Sequence, residues 1–325
     1  MMRALITGGA GFIGSYLAGE LLTRGHMVTV FDNLSTGDLR NIEHLKEDGH
    51  FRCEIGDILV REQLAPLVKD AEIVYHLAAS VGVRYIMEHQ VETLEINVKG
   101  TENVLELARG YGVKVILAST SEVYGKNSKF PYSEEDNLVL GSTTIIRWGY
   151  ACSKACDEFL AMAYYREKGL SVVILRLFNT IGPRQTGRYG MVVPKFVAQA
   201  LRGEPITVYG DGQQQRSFTY VKDVVKAMTD IAAVPAAEGG IFNVGNNQEI
   251  TINALAHLIK QVTGSRSKII HVPYEQVYGE HFEDIRRRLP DISKIQRFID
   301  YHPDTDLVRI IEEIAEDTKN RELQD

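Results

Sequence analysis

The chain has 325 residues, 44% hydrophobic and 24% charged, a composition ordinary for a soluble globular protein with ample apolar mass for a core. Its formal net charge of -7, from 43 acidic and 36 basic residues, argues against a nucleic-acid or anionic-membrane binder, which needs a basic surface. No apolar run approaches the ~20 residues of a membrane span, the start does not read as a signal peptide, and three cysteines (Cys53, Cys152, Cys156) suggest neither a disulfide framework nor a zinc site, so the expectation is a cytoplasmic protein with reduced thiols and no metal.

In chain order, Arg3–Thr7, Met27–Phe31, Glu72–Leu77, Val113–Ala118 and Val172–Arg176 are short, β-branched-rich runs that read as buried parallel strands. A further strand is expected just before Gly56-Asp57. Helical patterns lie between them at Ile13–Arg24, Leu64–Val68, Leu94–Gly110 and Tyr150–Lys168. This alternation predicts an α/β fold with a Rossmann-type, doubly wound parallel sheet. The second half loses the alternation: strands are expected at Leu201–Asp211 and Ser217–Tyr220, helices at Asp223–Ala233 and Ile252–Thr263, and a frayed end from about Lys319. We read residues 1–180 as a dinucleotide-binding domain and 181–325 as a smaller α/β substrate lobe interleaved with it.

Gly8, Gly11 and Gly14 give the spacing G-x-x-G-x-x-G between the first strand and the first helix. Such a loop makes a tight turn, lets backbone approach a pyrophosphate and presents the helix N-terminus, with Phe12 and Ile13, to the phosphates. Asp32 ends the second strand, 18 residues after Gly14, with Asn33 beside it. Its carboxylate suits the ribose hydroxyls of an adenosine and repels a 2′-phosphate, which favours NAD over NADP. Asp57 and Ile58 follow the third strand and are expected near the adenine, while Leu77, Ala78 and Ala79 end the fourth, where small residues let a cofactor lie against the backbone. His76, at the same strand end, reads as structural.

Tyr150 and Lys154 stand at i and i+4, one turn apart on one helix face. A neighbouring ammonium favours phenolate, so the pair is suited to removing a hydroxyl proton as hydride leaves the same carbon. Thr120, Ser121 and Glu122 follow the fifth strand, where hydroxyls can bind the reacting oxygen. Asp223 reads as a helix-capping residue.

Together these motifs resemble the extended short-chain dehydrogenases/reductases that act on nucleotide sugars, over nearly the whole chain to about residue 310. The resemblance is carried by TGGAGFIG, HLAA, INVKGTENVLE around Asn97, STSEVYG, YACSK, RLFNTIGPR (176–184), VYGDGQQQRSFTYVKDV (208–224) and FNVGN (242–246). It implies a catalytic triad of Thr120, Tyr150 and Lys154, with Tyr150 as the base at the C4 hydroxyl, Lys154 also on the nicotinamide ribose, and Asn97 at the cofactor. It further implies contacts from Asn179, Arg184, Tyr209 and Arg216 to a nucleotide diphosphate-sugar, Arg216 on the diphosphate. In much of this family the helices matching Asn97–Gly110 and Tyr150–Lys168 form a four-helix bundle between subunits; Leu94, Val98, Leu105, Phe159, Leu160 and Ala163 offer apolar faces for such a homodimer.

Members of this group oxidise the sugar at C4 and then epimerise, dehydrate or decarboxylate. Glu122 resembles the UDP-glucuronate decarboxylases, and also the GDP-mannose 4,6-dehydratases, which share Thr-Ser-Glu. Arg147-Trp148-Gly149-Tyr150 resembles the Arg-Trp-x-Tyr entry of a lipid A-pathway decarboxylase and of UDP-apiose/UDP-xylose synthases. The stretch from Tyr278 to Asp291 resembles their C-terminal motif, and Arg288 matches the arginine that reaches the sugar carboxylate. Two departures stand out: His281 replaces a glycine, and Ser121 replaces a cysteine of the apiose synthases, although Cys152 matches their second one. The expected activity is NAD-dependent decarboxylation of UDP-glucuronate; the alternatives are a 4-epimerase on UDP-glucuronate or UDP-glucose, then a 4,6-dehydratase, then an NAD(H)-sensing protein without catalysis.

Overall fold

The computed structural model describes residues 1–187, 190–279 and 283–323; His281 of the C-terminal motif lies outside them. The first elements are β1 (Arg3–Thr7), α1 (Phe12–Thr23), β2 (Met27–Asp32), β3 (Phe51–Ile55), α2 (Arg61–Asp70), β4 (Ile73–His76), α3 (Val83–Glu88), α4 (Gln90–Tyr111), β5 (Lys114–Thr120), α5 (Arg147–Lys168) and β6 (Val172–Leu177). Then come β7 (Thr180–Ile181), α6 (Val192–Leu201), β8 (Ile206–Tyr209), β9 (Gln215–Ser217), β10 (Thr219–Tyr220), α7 (Val221–Ala232), β11 (Ile241–Val244) and β12 (Glu249–Thr251). The chain ends with α8 (Ile252–Val262), β13 (Ile269–Val272), α9 (Tyr274–Tyr278), β14 (Arg287–Arg288), α10 (Ser293–Gln296) and α11 (Leu307–Glu322).

Seven parallel strands form the main sheet in the order β3-β2-β1-β4-β5-β6-β11. Because side chains alternate across a strand, each strand feeds both faces. Ala4 and Ile6 of β1 and Val30 of β2 pack with Leu17 and Leu21 of α1 and Met228 of α7 on one face. Leu5 and Phe31 pack with Leu64 and Val68 of α2 and Val104 and Leu105 of α4 on the other. Each fully buried side chain of this size contributes about 1.5–3 kcal/mol. The winding reverses between β1 and β4, which opens a crevice at the carboxyl ends of the strands, where open α/β sheets bind ligands.

The second half departs from expectation in three places. Leu201 ends a helix instead of starting a strand. Val193, Phe196, Val197 and Ala200 bury one face of α6, Pro194 fits its first turn, and the strand begins only after Gly203, which holds φ +70°. The run 217–220 is divided: β9 pairs with β12 and β14, while β10 pairs with β7. The end expected to fray is helical to Glu322, because Ile310, Ile311 and Ile314 are buried and Arg321 bonds Asn41 and pairs with Asp317. Asp223 lies in the first turn of α7 without capping it; its carboxylate accepts a bond from Thr305.

Candidate active site

A cavity of about 870 Å³ runs from the β1–α1 loop to β9, α9 and β14. At its first end, Gly8 takes φ +72°, and a Cβ there would come within 2.7 Å of the Ala78 nitrogen. A Cβ on Gly14 would strike the Gly8 carbonyl. The loop is therefore a cradle that side chains would fill. Gly11 caps α1 without a side-chain hydrogen bond, so the first-turn N–H groups are left for an anion.

Asp32 is buried at the end of β2 and lines the cavity. It accepts N–H bonds from Ala10 at 3.0 Å and Leu34 at 2.8 Å. Burial pushes its carboxyl above the ordinary range, against the pull of these amides. Phe12, Ile13, Asn33, Ile58, Leu77, Ala78 and Ala79 also line this end. Asp57 and Asn97 are not among the lining residues. Asp57 bonds Asn33 and the Leu59 amide, and so fastens the loop; Asn97 is buried between the Ser80 amide and the Ser153 hydroxyl, and so braces α4 against α5. His76 is buried between Thr7 Oγ1 at 2.7 Å and Thr101 Oγ1 at 3.1 Å; burial, then the Lys154 charge, pushes its ring down to about 3, consistent with a neutral structural histidine.

At the centre, Thr120 ends β5, its Oγ1 accepts the Glu122 N–H, and it is hydrogen-bonded to the Tyr150 hydroxyl. Thr120, Ser121, Glu122, Tyr150 and Lys154 all line the cavity. The expected lowering of the Tyr150 phenol is not what this arrangement produces. Desolvation, then the Glu122 charge, pushes it well above the ordinary tyrosine value, with Thr120 and Arg288 pulling the other way. Lys154, meanwhile, donates to Asp157 Oδ2 at 2.8 Å, in a pair whose side chains are 3% and 0% exposed. Sequence reasoning missed Asp157, although an acid three residues after the lysine, on the same buried face, was a usable signal.

Beyond Tyr150 the wall becomes a lattice of charge. Arg147 grips Glu122 with Nε to Oε2 at 2.9 Å and Nη2 to Oε1 at 2.8 Å, and donates from Nη1 to Asp284 Oδ1 at 2.9 Å. Arg288 pairs with Glu122 at 2.6 Å, and Arg216 with both oxygens of Asp284 at 3.0 and 3.1 Å. Tyr274 donates to Asp284 at 2.7 Å. Arg216 and Arg288 are register partners on the parallel strands β9 and β14, so both point the same way. Burial opposes ionisation of both carboxyls. Arg147 then Arg288 at Glu122, and Arg216 then Arg147 at Asp284, overcome it and hold each at about 2. Burial and the other two guanidiniums bring Arg288 down to about 10, and its Nε is buried with no hydrogen-bond partner among the described residues. Among the described residues, three guanidiniums face two carboxylates here.

Asn179, Arg184 and Tyr209 also line the cavity. Asn179 bonds the Ser217 carbonyl, and Tyr209 carries the Lys195 ammonium 3.7 Å above its ring. Arg184 lines the cavity on the α1 side, where its guanidinium lies 4.4 Å over the Tyr16 ring and donates to Ser15. Among the described residues there is no cluster of three or more His, Cys, Asp or Glu that could hold a metal, and no helix long and apolar enough to cross a membrane.

The sequence matches the family model described as GDP-mannose 4,6 dehydratase over residues 5–314. It is 46% identical over 302 residues to a UDP-N-acetyl-alpha-D-glucosaminuronate decarboxylase of Bacillus cytotoxicus, covering 93% of this chain and 92% of that one. It is 39% identical over 311 residues to UDP-glucuronic acid decarboxylase 1 of Xenopus tropicalis, covering 93% of this chain and 68% of that one. The solved structure of a UDP-glucuronic acid 4-epimerase from Bacillus cereus, in complex with UDP-glucuronic acid and NAD, has a TM-score of 0.89 at 28% identity, covering 98% of this chain and 100% of the other.

Proposed function

We propose, since the chain belongs to the GDP-mannose 4,6 dehydratase family, that it is an NAD-dependent enzyme that oxidises a UDP-hexuronate at C4 and releases its carboxylate as carbon dioxide. The observation that carries this reading is the charge lattice beside Tyr150, in which, among the described residues, three guanidiniums face two carboxylates and the buried Arg288 Nε has no partner, an arrangement that suits the carboxylate of a uronate. A neutral hexose offers Arg288 no carboxylate. The relatives named as UDP-uronate decarboxylases support the same class, and the 46% identity favours UDP-N-acetylglucosaminuronate alongside UDP-glucuronate.

The glycine cradle, the uncapped amides of α1 and Asp32 fit a dinucleotide, and the carboxylate of Asp32 disfavours a 2′-phosphate there. NAD, when bound, accepts and returns the hydride at C4. Thr120 and Tyr150 hold the C4 hydroxyl, and Tyr150 takes its proton. The resulting 4-ketone is β to the carboxylate, so the C5–C6 bond can break with its electron pair passing into a C4–C5 enolate; C5 then takes a proton from solvent, and Tyr150 returns its own proton to the C4 oxygen as the hydride comes back. Arg288 orients the departing carboxylate, and Glu122, held anionic by Arg147, keeps Arg288 in place. Asn179, Tyr209 and Arg216 bind the nucleotide diphosphate side.

The enzyme pairs with a second copy through the outer faces of α4 and α5, where Phe159 and Val91 are each 72% exposed and Leu94 is 43% exposed. Leu105 takes no part, because it is buried in its own subunit's core. Three free cysteines, two of them exposed, fit a reducing compartment such as the cytoplasm.

Incubation with UDP-glucuronate, UDP-N-acetylglucosaminuronate, UDP-glucose and UDP-galactose, followed by mass and NMR analysis, tests the reaction. The expected outcome is a UDP-pentose product from a uronate, with gas release. UDP-galacturonate with all carbons retained would instead establish the 4-epimerase reading, which the epimerase of matching fold favours. Loss of water would establish a dehydratase.

A further inference from the structure

We infer that Asp157 is a positioning residue that holds the Lys154 ammonium and restrains how readily Tyr150 takes the substrate's proton. The inference rests on the proposed role of Tyr150 as the base.

Asp157 is a carboxylate with no solvent exposure, a placement that costs several kcal/mol unless the charge is paired. Its Oδ2 receives the Lys154 ammonium at 2.8 Å, and the Thr101 hydroxyl of α4 donates to the same carboxylate. With Thr101 donating to Asp157, the Thr101 oxygen accepts from Nε2–H of His76, and Thr7 then donates to the other ring nitrogen. A buried chain of polar groups from β1, β4 and α4 thus fixes the carboxylate against the lysine. Asp157 Oδ1 is buried with no hydrogen-bond partner among the described residues, so the carboxylate is not explained by a saturated structural network. Packing alone would be met at this position by an apolar side chain.

The electrostatic consequence has a definite sign. A lysine beside a catalytic phenol promotes phenolate, and a carboxylate on that lysine cancels most of the promotion. The Asp157 charge also opposes ionisation of Tyr150 directly. The other charged and titratable groups around the pair are fixed or neutral. His76 on β4 is neutral near pH 7, and Glu158 of α5 is spent on Arg176 at 2.7 Å. Glu122, after β5, opposes the phenolate, Arg288 of β14 favours it, and burial raises the Cys156 thiol on the outer side of α5. Asp157 is the carboxylate in direct contact with the lysine, and its own charge opposes the phenolate.

Asp157→Asn keeps the volume and a hydrogen-bond acceptor and removes the charge. Two readouts follow: the pH profile of kcat/KM, and the ultraviolet phenolate absorbance of Tyr150 without substrate or cofactor, taken as the difference from the same protein carrying Tyr150→Phe. The acid limb of kcat/KM and the phenolate titration are both expected to move down by about one pH unit, with roughly tenfold higher kcat/KM on the acid side. Asp157→Glu, which restores a carboxylate, should return both toward the unaltered protein. Titrations that stay in place or move up would overturn the inference. If Asp157→Asn does not fold, Thr101→Val, which removes the hydroxyl donated to the same carboxylate, must move both titrations, and titrations that stay in place overturn the inference. The functional reading fails separately, if the unaltered protein turns over no UDP-hexuronate while the phenolate titration still moves in Asp157→Asn.

Discussion

Replacing Arg147 with glutamine should make the stability of this protein depend on pH in a new way. Arg147 is 5% exposed and holds Glu122 and Asp284 together. A carboxyl brought from its ordinary 4.5 down to about 2, as at Glu122, reflects about 3 kcal/mol of preferential pairing with its cations. Arg147 is the foremost of those cations. Breaking a buried pair by removing one partner costs ~3–5 kcal/mol. A loss of about 3 kcal/mol at pH 7 is therefore expected for Arg147→Gln in urea unfolding. Because the Glu122 carboxyl is depressed in the folded state, its contribution is complete above its unfolded value near 4.5 and disappears as pH falls toward 2. The gap between the two proteins should be full at pH 7 and narrow steadily toward pH 3. A gap under about 1 kcal/mol at pH 7, or one equally wide at pH 3, would refute the assignment of Arg147 as the clamp on Glu122.

Tyr150→Phe removes the hydroxyl bonded to Thr120 and should lower turnover by ~10²–10⁴-fold, with NAD binding by calorimetry nearly unchanged; near-normal turnover would exclude Tyr150 as the base. Asp32→Ala removes the carboxylate held by the Ala10 and Leu34 amides and should weaken NAD more than NADP, as read by titration of each dinucleotide; tighter NADP than NAD in the unaltered protein would contradict the ribose assignment. Phe159→Glu places a charge in the exposed face of α5 and should convert a dimer to a monomer in light scattering, with faster thiol labelling of Cys152 and Cys156. A monomer before substitution would remove the basis for that interface.

Features encoded over short distances were legible in the sequence. The runs at β1, β4, β5 and β6 announced themselves by β-branched continuity, and Tyr150 and Lys154 by the spacing of one helical turn. The α6 helix was obscured by Pro194 in its first turn and by the strand-like run that follows Gly203, although Val193, Phe196, Val197 and Ala200 carry a helical period. The lattice was legible only in pieces. Glu122, Arg147, Arg216, Asp284 and Arg288 all fell in stretches that stood out by resemblance, but Arg147 and Asp284 are 137 positions apart, and no spacing rule joins them. Asp57 stood out by its place after the third strand, but its bonds to Asn33 and the Leu59 amide, which fasten the loop, are side-chain geometry that no spacing announces.

The place of β11 in the main sheet bears on how this protein can be cut. Ile241–Val244 come from far beyond residue 180, yet they pair with Ile174–Leu177 and complete the sheet beside β6. A fragment ending at 180 keeps the glycine cradle, Tyr150 and Lys154 but leaves the outer edge of β6 without a neighbour. That edge is a row of bare amides and carbonyls on a strand that is aliphatic but for Arg176, a template for edge-to-edge aggregation. Such a fragment should therefore collect in the insoluble fraction, however complete its cofactor-binding motif looks on paper.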